Sequence, residues 1–170
     1  AGTDLSAGRI LGCGAAISAS LLQSVTYASR MYPQITEPLP LFIPLIISIV
    51  VCVAFSLLNG FGVAKLHMHA FIISLGTQLI AYGVLCLYID SQAGGAQPIA
   101  TLDPEYIEFV NGELFGEIPH LVIFFAIAAI VMWFVWNKTT LGKNMFAIGG
   151  NKEAAAVSGV NVTKSIMLIY

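Results

Sequence analysis

The chain has 170 residues, of which 58% are apolar and only 9% charged, with a formal net charge of −2. Soluble domains carry about 25% charged residues, so this much apolar surface cannot be hidden in one small soluble core, and the composition points to lipid as solvent. With no basic stripe and no run of like charges, nothing in the sequence suits nucleic acid.

The charges divide the sequence into blocks. No Asp, Glu, Lys or Arg lies between Arg9 and Arg30, Glu37 and Lys65, Lys65 and Asp90, or Glu117 and Lys138. Each gap holds an apolar stretch near the ~20 residues that cross a bilayer core. Four spans are predicted, at about 7–25, 40–60, 70–89 and 120–136, with a fifth starting near Ser165. Inside lipid the backbone must satisfy its own hydrogen bonds, so the spans are helices. The fold class is therefore all-α, a polytopic membrane helix bundle. The chain begins with Ala1 and stops at Tyr170 as the apolar run Ile166-Met167-Leu168-Ile169 begins, so it is expected to be an internal piece of a longer protein. Cys13, Cys52 and Cys86 fall one in each of three apolar stretches and fit neither a metal site nor a disulfide framework.

The first span is preceded by Thr3, Asp4 and Ser6, all good helix-capping residues. Two readings stay open. A helix start within the bilayer would turn its free N–H groups toward a cavity, as broken helices do in transporters, and Asp4 and Arg9 would then be paired or lining water. A start at the membrane surface would make Asp4 an ordinary cap, with Arg9 reaching the headgroups. Gly8, Gly12, Ala15, Ala16 and Ala19 form a small-residue stripe expected to pack against another helix. His67 and His69 beside Lys65 read as interfacial histidines. Thr77 and Gln78 are polar groups inside the third span, suited to lining a path or to bonding between helices. In the loop 90–119, Asp103 and Pro104 form an N-cap and first turn for a short helix. Trp133 and Trp136 end the fourth span as an aromatic belt.

In the loop 137–164, Gly149 and Gly150 are expected to break the chain, Asn151 to cap, 152–158 to form a two-turn helix and Gly159 to end it. Its alanines, Ala154, Ala155 and Ala156, offer a small face for another protein's groove. A plain solvated connector is the other reading. All five lysines fall either at Lys65 or in 137–164, two spans apart. The positive-inside rule puts both loops in the cytoplasm and the acidic, lysine-free loop 90–119 outside. No nucleophile–base pair, paired carboxylates or phosphate-binding glycine loop occurs, so no catalytic residue, metal or cofactor is predicted.

Gly2-Thr3-Asp4-Leu5-Ser6-Ala7-Gly8-Arg9 resembles the Gly-(Ile/Thr)-Asp-Leu-Ser-x-Gly signature of bacterial monosaccharide ABC-transporter permeases, the ribose, xylose and galactose group, with variants similar to the galactose/methyl-galactoside branch. Phe71-Ile72-Ile73-Ser74-Leu75-Gly76-Thr77 is similar to that family's Pro-Phe-Ile-x-Thr-Leu-Gly-Thr, with Ala70 where the family has Pro. The stretch from Asn137 through Gly149-Gly150-Asn151, Glu153-Ala154-Ala155 and Ser158-Gly159-Val160 resembles its coupling loop.

The resemblance implies that 1–170 is a fragment of a single transmembrane permease domain, in a bacterial inner membrane. It implies an ATP-hydrolysing partner subunit, an extracytoplasmic sugar-binding protein and a second permease chain. It assigns Asp4, Ser6, Arg9, Thr77 and Gln78 to the substrate pathway. Coupling to the ATPase falls to Gly149, Gly150, Asn151, Glu153, Ala154, Ala155 and Gly159. A secondary sugar transporter or channel working without ATP is the alternative.

Overall fold

A computed structural model describes residues 2–91, 97–114 and 116–170. Part of the loop expected outside, 92–96 and Phe115, lies beyond the described residues. Eight helices are present among those described: α1 (Ala7–Leu21), α2 (Phe42–Ala64), α3 (Ala70–Asp90), α4 (Pro104–Asn111), α5 (His120–Lys138), α6 (Thr140–Gly150), α7 (Lys152–Val157) and α8 (Val162–Ile169). A two-residue hairpin, β1 (Glu113–Leu114) against β2 (Ile118–Pro119), separates α4 from α5. The helical membrane bundle expected from the apolar blocks is what forms.

Three helices are long and apolar enough to cross a membrane: α2 with 23 residues, α3 with 21 and α5 with 19. The first expected span is shorter than predicted, because α1 stops at Leu21 after 15 residues. Distant chain ends it. The Leu22 carbonyl accepts from the Asp103 N–H at 2.8 Å, Ser24 N–H donates to Thr101 O at 2.8 Å, and Gln23 Nε2 donates to Ala100 O at 3.1 Å. Backbone groups that would have continued the helix are satisfied by the segment 100–103 instead. Arg30, the one cation in the loop after α1, folds back on the carbonyls of Val25 (2.6 Å) and Pro33 (2.9 Å).

Helices α1, α2 and α3 pack on one another, and α8 lies along α2. The close approach of α1 to α2 does not use the Gly8–Gly12 stripe: a Cβ at either glycine would meet nothing within 4 Å. Contact runs through Gly14, where a Cβ would stand 2.6 Å from Cys52 Sγ and 2.8 Å from Ser48 Oγ. Spacing identifies the stripe but not the neighbour it meets, and Gly14, two residues beyond Gly12, lies roughly on the opposite side of the helix. Gly62 admits Ile73 of α3 in the same way, and Gly60 admits the Met167 backbone of α8. Hydroxyls join α1 to the C-terminal end of α3 and to the loop after α1: Tyr88 meets Ser20 at 2.5 Å and Tyr32 at 2.9 Å. In contrast, no residue of α5 is buried.

Helix α3 begins at Ala70, the position at which the resembled signature has proline. The first helical position needs no N–H partner within the helix, so proline and alanine both fit there. His67 takes a left-handed conformation (φ 53°) in the tight link from α2 to α3. The Asp103 cap forms as predicted, accepting from Glu105 N–H at 2.9 Å.

Candidate functional site

At the start of α1 a short chain of hydrogen bonds assembles. Asp4 Oδ1 accepts from the Ser6 backbone N–H at 2.8 Å and from the Ser6 hydroxyl at 2.6 Å. Ser6 Oγ in turn accepts from Asn59 Nδ2 of α2 at 2.7 Å. Asp4 is exposed, whereas Ser6 and Asn59 are fully buried. Ser6 sits at the N-cap position but its side chain caps nothing: its backbone is already helical (φ −81°, ψ −20°) and its hydroxyl is engaged with Asp4 and Asn59 instead. Among the described residues, Asn59 Oδ1 has no hydrogen-bond partner. A buried amide oxygen left so costs about 1–3 kcal/mol, and such a group is uncommon enough to need a reason.

Arg9, one turn further on, does not pair with Asp4. Its guanidinium lies 4.4 Å from the centroid of the Tyr82 ring on α3. That contact partly compensates an exposed cation on an apolar helix, a cation–π interaction worth about 0.5–1 kcal/mol at an exposed site. Thr77 is buried on α3 and Gln78 is half-buried, and neither hydrogen-bonds to Asp4, Ser6 or Arg9. Of the five residues expected along a pathway, the fold thus joins Asp4 to Ser6 directly and sets Arg9 against Tyr82 of α3. Asn59 is the member that sequence reasoning missed. A lone asparagine at the end of a long apolar run, Phe42 to Leu58, was the available signal.

The second cluster lies at the α2–α7–α8 end. Thr139 bends the chain between α5 and α6: its hydroxyl donates to Val135 O at 2.5 Å and accepts from Gly142 N–H at 3.3 Å. A Cβ on Gly142 would collide with the Trp136 backbone, so the bend requires glycine there. Gly149 and Gly150 do not break the chain; α6 runs through both, and the break falls at Asn151 (φ −152°, ψ 110°). Glycine permits a break, but here the α6 hydrogen bonds continue until Asn151 turns its side chain to the next helix.

Asn151 Oδ1 accepts from the N–H groups of Glu153 (2.9 Å) and Ala154 (3.0 Å), capping α7 as expected. At the other end Val160 N–H reaches Ala155 O (3.1 Å) and Gly159 N–H reaches Ala156 O (3.0 Å), with Gly159 at φ +85°. This is the paired closure that a left-handed glycine allows.

Ala155 faces inward. It is buried with Ala64 of α2, Ile148 of α6 and Ile166 of α8, with Val160 and Met167 packed around them. Glu153, Ala154, Gly149, Gly150 and Gly159 are exposed, and Val157 is 91% exposed. The small face predicted for a partner is thus split, Ala155 serving this chain's own core and Ala154 and Val157 facing out. A groove of about 390 Å³ runs beside α7, lined by Ala64, His67, Lys152, Glu153 and Ala156.

A model of permease components, described for branched-chain amino acid transport systems, matches residues 1–170. The chain belongs to this permease family, whose helical membrane architecture it shares. Among relatives, it is 43% identical over 173 aligned residues to the galactose/methyl galactoside import permease MglC of Haemophilus influenzae, covering 99% of this chain. It is 41% identical to MglC of Escherichia coli, again over 99% of the chain. The D-allose transport system permease AlsC of Escherichia coli is 31% identical over the whole chain. The chain spans about half the length of these relatives: 50% of each MglC and 47% of AlsC. No solved structure matches it at a significant level.

Proposed function

We propose that this chain is part of the membrane-embedded permease subunit of an ATP-driven importer, moving a monosaccharide, with galactose or methyl galactoside favoured. The carrying observation is the identity of 39–43% along essentially the whole chain to permeases named for galactose and methyl galactoside. Permeases named for ribose and arabinose align over only 66% of it. The family description names amino-acid transport, which makes a branched-chain amino acid the competing cargo. The near-complete match to sugar permeases weighs against it.

In this reading Asp4, Ser6 and Arg9 lie along the path, with Thr77 and Gln78 on the neighbouring helix. The outward side of α7, with Glu153, Ala154 and Val157, docks on a separate ATPase. The α4 side faces a sugar-binding protein outside the cell, the lysine-rich segment faces the cytoplasm of a bacterial inner membrane, and a second permease chain completes the path. A compact helix capped at both ends and held on α6 and α8 suits transmission of force better than a passive connector. A secondary transporter or channel would have no use for it.

The test is uptake by the complete permease in vesicles with its ATPase and binding protein, using galactose, ribose, allose and leucine as solutes. ATP-dependent galactose uptake is expected, reduced in Asp4→Ala and Arg9→Ala although both variants insert. Uptake without ATP would favour a secondary transporter, and leucine uptake alone would refute the sugar assignment.

A further inference from the structure

We propose that Asn59 is the positioning residue that ties the Asp4–Ser6 turn to the end of α2 on which α8 packs and whose Ala64 shares a buried cluster with Ala155 of α7, so that displacement of α7 reaches the turn through α8 and α2. The proposal rests on the transport reading above. It is carried by the direction of the hydrogen-bond chain. A carboxylate only accepts, so the Ser6 hydroxyl gives its one proton to Asp4 at 2.6 Å. What remains on Ser6 Oγ is lone pairs, which only a donor can meet, and Asn59 Nδ2 is that donor at 2.7 Å. The amide is thereby held in one orientation, with Oδ1 turned where no donor meets it.

A side chain present only to fill space would not carry that unmet oxygen, since leucine fills a similar volume without a polar group. Asn59 therefore reads as kept for its donor. The next residue, Gly60, lets the Met167 backbone of α8 come within 3.3 Å of where a Cβ would stand. One turn on, Ala64 joins Ala155 of α7 and Ile166 of α8 in the buried cluster. The stretch 59–64 of α2 thus grips the turn on one side and the α7–α8 layer on the other. A rigid helical segment with contacts at both ends moves them together.

Two substitutions separate the donor from the packing. Asn59→Asp keeps the shape and sets an acceptor against Ser6 Oγ, while Asn59→Leu keeps an approximate volume and removes the donor. In the complete permease assembled with its ATPase and binding protein, galactose moved per ATP hydrolysed is measured for both. The same ratio is measured for Ser6→Ala and for Asn59→Leu combined with Ser6→Ala. The expected result is about a tenfold fall in either Asn59 variant, the factor that one buried hydrogen bond is worth. The combined variant should be no worse than Ser6→Ala alone, because both changes cut one link. A wild-type ratio in both Asn59 variants, or losses that multiply in the combination, overturns the proposal. So does failure of both Asn59 variants to reach the membrane, which assigns the residue to folding. If the unsubstituted assembly moves no galactose with ATP, the transport reading falls first and takes this proposal with it. Normal wild-type transport beside unaffected Asn59 variants refutes the link alone.

Discussion

Gly14 and Gly12 lie two residues apart on α1, and the structure gives them opposite environments. An alanine Cβ at Gly14 would stand 2.6 Å from Cys52 Sγ and 2.8 Å from Ser48 Oγ, while one at Gly12 would meet nothing within 4 Å. Comfortable heavy-atom separations are about 3.5–4.0 Å, so Gly14→Ala overlaps two neighbours by close to 1 Å each. Both are short side chains with a single rotatable bond, and turning Cys52 away gives up its 3.6 Å contact with the Ile10 carbonyl. Overpacking of this kind costs about 1–3 kcal/mol. Replacing glycine by alanine also favours the helix by up to about 1 kcal/mol, but that gain is common to both positions. It cancels when the two variants are compared. Gly14→Ala should therefore be less stable than Gly12→Ala by about 1–3 kcal/mol, read as thermal unfolding of the complete permease in detergent. Equal midpoints would refute the claim that α1 meets α2 through Gly14.

Three further outcomes are expected. With Cys13, Cys52 and Cys86 replaced by alanine, a single cysteine at Glu108 should react with an impermeant thiol reagent in intact cells and one at Lys143 should not; the reverse pattern would invert the topology. Ala155→Arg should lower the amount of folded permease, since it puts an unpaired charge into the Ala64–Ile148–Ile166 cluster, a defect of about 3–5 kcal/mol. Val157→Arg, on an exposed site, should leave folding intact but reduce ATPase co-purification. Normal co-purification of Val157→Arg would move the docking surface elsewhere.

The features legible in the sequence were those decided locally. Asp103 before Pro104, Asn151 ahead of an alanine run and Gly159 after it each act on backbone groups within a turn, so residue type and position sufficed. The apolar blocks located α2, α3 and α5 because length and composition alone decide whether a helix can span lipid. What escaped was set by partners far along the chain. The end of α1 at Leu21 depends on Thr101 and Asp103, some 80 residues away. The choice of Gly14 over Gly8 and Gly12 depends on where α2 lies, and the inward turn of Ala155 depends on α8. At the candidate site, Asp4 and Ser6 were legible as a signature, but their link to Asn59 crosses 53 positions of sequence.

The shortness of α1 also bears on how the chain beyond its end is sheltered. Fifteen residues at about 1.5 Å each give roughly 22 Å of helix, against about 30 Å of hydrocarbon. Irregular backbone at membrane depth is tolerated only against protein or water, not lipid tails. The Leu22 carbonyl and the Ser24 N–H meet that condition through Asp103 and Thr101. The loop that ends α1 early thus also supplies the protein wall that further turns of helix would not have needed.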